Sequence, residues 1–363
     1  VLDRLSITYC LQKGDEKMNV LLLGYVQDLQ TGVYIIEACN ELQHTVNWID
    51  IRAMFLKLSK EATQLKIIEN VNNLKEDPDL VIVLKGIEMT HETVEYVKNK
   101  FPKAKLINWF FDVYFTTKKI WEDKDYFKTI KLFDYYFCSV HGVVKELNKL
   151  GMKNAIYLEE ACSPMHNEEQ ILNNFQKKKY GADIGFVGTL GFMTQHANRI
   201  PIIKRITEEG FNLKIWGKIV CAPKYLTREI LKSHTYTAAI NEQHSMVVQS
   251  TLINLGIDQN PEIYQAHSAR LYRVLCAGGL YLLNGTKGME DIFKINKPGE
   301  QITEEQELVL YYNKEDLIEK LDFLLQHEDL CHKIGKNGQK RVLERDTFVQ
   351  RIKKMENVIK NEN

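Results

Sequence analysis

The 363-residue chain has no surplus of charge: 48 Lys and Arg balance 48 Asp and Glu. That balance removes a global excess of base as a sign of nucleic-acid binding, though not a local basic stripe. No apolar run reaches the about 18 residues that a membrane-spanning helix needs. The best stretch, Val20 to Val26, has strand length. Residues 1–17 carry Asp3, Arg4, Asp15 and Glu16 with no apolar core, so no secretory leader is expected there. The seven cysteines, at 10, 39, 138, 162, 221, 276 and 331, contain no C-x-x-C pair. Structural zinc is therefore not expected, and the scattered, odd-numbered set reads as reduced thiols of a cytoplasmic protein. Short internal repeats and low-complexity tracts are also missing. What is present is an ordinary globular composition, 44% hydrophobic and 26% charged, over a length of roughly two domains.

Strand and helix patterns alternate from Met18 onward. Asn19 to Gly24 is a continuous apolar run ending in Gly, as expected of a strand buried on both faces of a parallel sheet. Helical spacing follows over Gly32–Leu42, then strands at Val46–Ile51 and Leu80–Leu84. The second of these comes after the turn signal Asp77-Pro78-Asp79. Thr90–Lys100 reads as a helix, Lys105–Trp109 and Tyr135–Ser139 as strands, Val143–Leu150 as a helix ended by Gly151, and Ala155–Leu158 as a closing strand. His166–Tyr180 is polar and reads as a linker. A second series begins at Asp183–Gly188 and continues through the helix Ile200–Glu209 and the strands Leu213–Trp216, Thr251–Gly256 and Gly279–Leu283. Amphipathic helices at 315–326 and 329–344 follow. Phe348, Ile352, Met355 and Ile359 mark one face of a last helix.

The expected fold is α/β, with two doubly wound Rossmann-like domains. The expected boundaries are an extension at 1–17, a first domain at 18–175, a second at 176–345 and a terminal helix at 346–363. Doubly wound sheets bind ligands beyond the carboxyl ends of their strands, so the cleft between two such domains is the expected site.

Two segments carry candidate chemistry. Phe186-Val-Gly-Thr-Leu-Gly191 places Gly188, Thr189 and Gly191 after a strand, where backbone amides can approach a diphosphate. Arg199 and Lys204 follow, able to pair with phosphate or to sit on a solvated helix face. Ser268 to Gly279 reads as a helix with Arg270 near its start. A cation gains nothing from the helix dipole there, which favours a role in anion binding. Asn284 to Phe293 is a Gly-rich loop holding Gly288 and Glu290. Asp77-Pro-Asp79 has the look of a metal-binding D-x-D. Its proline and its place before a strand make it a turn, and no metal is expected.

The order Phe186–Gly191, Ile215-Trp-Gly217, Ile253-Asn-Leu255, Ser268-x-Arg-x-Tyr272, Ala277-Gly-Gly279, Gly288-Met-Glu-Asp-Ile-Phe293 and Asp346-Thr-Phe348 resembles the CgeB-like, spore-maturation-type glycosyltransferases of the GT-B superfamily. The likeness covers about 180–350. It is looser at Trp109-Phe-Phe-Asp112 and Ser163-Pro-Met-His166. The resemblance implies a metal-free sugar transferase without a bound cofactor. A nucleotide-diphosphate sugar would be held by the second domain, a hydroxyl acceptor presented by the first, and the terminal helix would return to the first domain. One departure stands out: after Arg-x-Tyr the family has Glu, which reaches the donor's ribose, whereas this chain has Arg273. A cation cannot accept hydroxyl hydrogen bonds, so Glu290 takes that role or donor recognition differs.

On that reading the backbone of Gly188–Gly191, Arg270 and Lys218 are expected to stabilise the leaving diphosphate. Asp112 is the first choice of base, because it follows apolar Trp109-Phe110-Phe111 at a strand end, and His141 is the second. A helix N-cap is the competing role for Asp112. Other outcomes consistent with the sequence are a nucleotide-sugar epimerase of the same fold, a non-catalytic relative suggested by Arg273, and transfer to a modified base in DNA. The basic segments Lys118-Lys119 and Lys177-Lys-Lys179 would favour the DNA acceptor.

Overall fold

The computed structural model describes residues 17–26, 31–112, 122–191, 198–220 and 226–361. The extension up to residue 16, Lys118-Lys119, Cys10 and Cys221 lie outside the described residues.

Eleven strands are described: β1 Asn19–Gly24, β2 Thr45–Asp50, β3 Leu80–Leu84, β4 Lys105–Phe110, β5 Tyr135–Cys138, β6 Ala155–Tyr157, β7 Ala182–Val187, β8 Leu213–Trp216, β9 Thr251–Gly256, β10 Leu280–Asn284 and β11 Val309–Tyr311. They make two parallel sheets, ordered β2-β1-β3-β4-β5-β6 and β11-β10-β9-β7-β8. Parallel pairing requires crossovers, and helices supply them, which buries both faces of the inner strands. Leu21, Leu22, Leu23, Ile82 and Val83 are accordingly sealed from solvent. Edge strand β2 instead leaves Trp48 exposed.

The chain divides into two compact units. One gathers residues 1–109, 128–135 and 355–363; the other gathers 110–127 and 136–354. In the first unit Glu356 Oε1, on the last helix Phe348–Lys360, lies 2.7 Å from His44 Nε2. In the second unit one apolar cluster joins Ile184, Phe186, Ile203, Ile215, Ile253 and Leu282. Another is built on the helix Arg270–Cys276, with Leu271, Tyr272, Val274 and Leu275.

Polarity hid several elements. Residues 166–180 are not featureless: Asn174–Tyr180 is a helix with a capping box between Asn173 and Gln176. None of its residues is buried, so it left no hydrophobic period to read. The helices Lys60–Asn72 and Glu242–Gln249 and the three-residue strand β11 likewise lacked a pattern strong enough to predict.

Candidate functional site

All five strands of the second sheet run parallel, so their carboxyl ends share one edge. The loops leaving β7 and β8 are stitched together there. Gly188 N donates to Trp216 O, Leu190 N to Lys218 O and Val220 N to Leu190 O, each at 2.8 Å. Gly217 makes this possible. Its φ is +146°, and a Cβ on it would lie 2.2 Å from the Gly188 carbonyl oxygen.

Beneath these loops two guanidinium groups flank one aromatic ring. Arg270 Cζ is 5.7 Å and Arg199 Cζ 5.8 Å from the centre of the buried Phe186 ring. Arg270 Nη1 donates to Val187 O at 3.1 Å, and Arg199 Nη1 to Thr189 O at 2.8 Å. The backbone that leaves β7 is thus pinned by both cations. Burial, and then repulsion from Arg270, pulls the Arg199 guanidinium down to about 10, so it stays charged at neutral pH.

One buried carboxylate serves both cations. Asp258 Oδ1 is 3.9 Å from Arg270 Nη2 and accepts from Ser268 Oγ at 2.8 Å, while Oδ2 accepts from Ser268 N at 3.1 Å. Asn284 holds the Asp258 backbone from both sides, accepting from its N–H at 2.6 Å and donating to its carbonyl at 3.0 Å. The buried Arg199 and the partly buried Arg270 against one carboxylate leave the spot locally positive, as an anion requires. His244 is buried nearby. Burial first, then Arg273 and Arg270, hold its imidazole at about 3, and it is therefore neutral at ordinary pH.

A second cluster surrounds His141, at the start of the helix His141–Lys149. Its ring stacks on Tyr157 at 4.6 Å and meets Tyr264 edge-on at 5.2 Å. Its Nδ1 lies 2.9 Å from Gln265 Oε1, and Gln265 Nε2 donates to Gly288 O at 3.0 Å. Tyr264 donates to Asp291 and carries Lys145 Nζ over its ring at 3.6 Å. Gly288, at φ +80°, has no room for a side chain, because a Cβ would meet the Tyr264 ring at 2.5 Å.

The structure therefore brings Gly188, Thr189, Arg199 and Arg270 together in one cluster, and His141 and Gly288 in another. The solvated-face alternative for Arg199 does not hold, since that side chain is buried; it does hold for Lys204, which pairs with Glu208 at 3.5 Å on the surface. Gly191 is buried against Val220. Lys218 is exposed and contributes its carbonyl to the stitched loops. Glu290 is exposed on the short 3-10 turn Met289–Asp291. Asp112 stands exposed just past the carboxyl end of β4.

Sequence reasoning missed Asp258, His244 and Gln265. Asp258 could have been found, for it is a carboxylate two residues past a strand-ending glycine, like the argument that singled out Asp112. Gln265 offered no such signal. Among the described residues, no group of three or more His, Cys, Asp or Glu is placed to hold a metal ion, and no helix is long and apolar enough to cross a membrane.

Residues 199–357 match the family model described as glycosyl transferase-like. No curated protein matches the sequence. Among solved structures, the N-terminal domain of Candida albicans trehalose-6-phosphate phosphatase aligns with TM-score 0.63 at 6% identity, covering 96% of this chain and 98% of that one. The catalytic domain of starch synthase IV from Arabidopsis thaliana, bound to ADP and acarbose, aligns with TM-score 0.61 at 10% identity, covering 93% and 100%. Apo OtsA aligns with TM-score 0.60 at 7% identity, covering 93% and 98%. The two parallel sheets with flanking helices, and the arrangement shared with these structures, are those of the GT-B fold.

Proposed function

We propose that the protein is a glycosyltransferase that moves a sugar from a nucleotide-diphosphate donor to a hydroxyl acceptor. The observation that carries this reading is the pair Arg199 and Arg270, fixed around Phe186 at the carboxyl end of β7, with Asp258 3.9 Å from Arg270. The glycosyl transferase-like match spans both arginines, and a similarly folded structure holds ADP. In transfer the leaving diphosphate gathers negative charge, and cations already fixed in place stabilise it without reorganising.

The roles follow from position. Thr189 and Gly191 supply the backbone amides, because those of Gly188 and Leu190, expected from the sequence to do so, donate to Trp216 O and Lys218 O instead; Lys218 lies on the neighbouring loop. Gly288 and Glu290 border the loop after β10, where Glu290 takes the ribose in place of the carboxylate that Arg273 has displaced. Asp112 is the first group proposed to take the acceptor proton and His141 the second. A carboxylate and an imidazole at strand ends both suit general-base work. The family assignment within GT-B remains the CgeB-like one. The five described cysteines are free, buried thiols, which supports a cytoplasmic location.

The test is thermal stabilisation by a panel of UDP-, GDP- and TDP-sugars, followed by turnover of any that bind. A donor present at about 100 times its Kd should add about 2.7 kcal/mol of stability. No stabilisation by any nucleotide sugar, at concentrations up to millimolar, would count against the reading. Asp112→Asn should abolish transfer while nucleotide binding persists, and wild-type turnover in that variant would remove Asp112 from the mechanism.

A further inference from the structure

We infer that Gln265 is a positioning residue that fixes the tautomer of His141 and leaves Nε2 as its proton-exchanging atom. The role in transfer rests on the proposed function; the tautomer does not. Gly288 O can only accept a hydrogen bond, so the end of the Gln265 amide 3.0 Å from it must be the NH2 group. The other end, 2.9 Å from His141 Nδ1, is then the amide oxygen. An oxygen there requires a proton on Nδ1, and neutral His141 therefore carries its lone pair on Nε2.

Every element around the ring agrees with this assignment. Tyr157 and Tyr264 meet the imidazole through their rings and offer it no competing hydrogen bond. The charged groups nearby, Lys145 and Asp291, are engaged with Tyr264. Nε2 has no hydrogen-bond partner among the described residues. Gln265 is itself held firmly: it is buried, its N–H donates to Lys287 O at 2.7 Å, and its backbone sits in the left-handed region at φ +55°. A strained residue that clamps a half-buried histidine to the loop after β10 has a clear use. It keeps one basic nitrogen aimed outward without consuming it. Where His141 rather than Asp112 is the base, a hydroxyl bound at Nε2 gives up its proton there as its oxygen forms the new bond to the sugar carbon. The carbon–diphosphate bond breaks at the same time, and its electron pair leaves on the phosphate.

The experiment is nitrogen-15 NMR of histidine-labelled full-length protein, with the His141 signals assigned by their loss in His141→Gln. The expected result is a protonated Nδ1 and a bare Nε2 at a pH where His141 is neutral. A protonated Nε2 in the wild type would overturn the inference. Gln265→Met keeps the length but removes both hydrogen bonds, and an Nε2–H form should then appear. Gln265→Glu should retain the Nδ1–H form, which keeps the test decisive if the methionine variant fails to fold. With an active donor in hand, Gln265→Met should lower kcat about tenfold with donor KM within about twofold, the mark of an interaction that acts in the chemical step. Unchanged kcat in a variant that has lost the Nδ1–H form would overturn the positioning role. The expected tautomer with no turnover of any sugar would sink the transferase reading and leave the tautomer assignment standing.

Discussion

The pocket around Phe186 and the cluster around His141 lie in the same compact unit, yet they are built in opposite ways. In the pocket, charges are permanent and tied to backbone: Arg199 to Thr189 O, Arg270 to Val187 O, Asp258 to Ser268. In the cluster, the central group is an imidazole, and it is tied to a side-chain amide. Fixed cations suit a ligand whose charge is always present, while an oriented imidazole suits a proton that comes and goes.

Breaking the pocket should have the largest effect. Arg270→Ala removes a cation and leaves the Val187 carbonyl without its donor, and kcat/KM should fall on the order of a hundredfold. The loss should be the same at every pH, which steady-state profiles would show; a loss confined to low pH would mean that the two regions are not separable as described.

Removing the carboxylate should come next. Asp258→Ala strips Ser268 of its partner and leaves two cations uncompensated, so stability should drop by about 2–4 kcal/mol in urea unfolding. A change below about 0.5 kcal/mol would show that Asp258 does not organise the pocket.

His244 adds a titrating group beside the fixed cations. In the folded chain it takes a proton only near pH 3, against 6.5 for an ordinary histidine. The unfolded state therefore binds the extra proton between those values. The resulting stability is fully present above about 6.5 and is lost as pH falls toward 3, at about 1.4 kcal/mol per pH unit. His267, buried with both ring nitrogens unpartnered, shifts in the same direction. His244→Leu should flatten the slope of stability against pH over that window, and an unchanged slope would remove His244 as a source of acid sensitivity.

The smallest effect is expected at the exposed rim. Glu290→Gln should leave stability within about 0.5 kcal/mol. If Glu290 holds the ribose, donor KM should rise several-fold with kcat retained; an unchanged KM would assign donor recognition to other groups.

Much of this fold was legible because parallel strands buried on both faces must be continuous apolar runs. β1, β3 and β10 are such runs, and their ends could be read to within a residue or two. Arg270 was legible for a related reason: a cation at the wrong end of a helix needs another purpose. Its actual partners, Phe186 and Val187, lie more than 80 residues away and could not be named in advance. Surface helices such as Asn174–Tyr180 left no trace because nothing in them is buried. The Gln265–His141 contact spans 124 residues and depends on one left-handed backbone angle. Neither local propensity nor periodicity encodes such a contact.

The hydrogen bond between His44 and Glu356 has a consequence for how the molecule is made. It joins residues 312 apart inside one compact unit, whose last portion is 355–363. That unit cannot be completed while its amino-terminal strands alone have left the ribosome, and the intervening unit must be synthesised first. Docking of that last portion closes a very long loop, at an entropic cost that grows only slowly with loop length. The strands β1 and β3 find their partners β2 and β4 within the first 110 residues, so what arrives late is the helix that carries Glu356, and during translation His44 must wait for it.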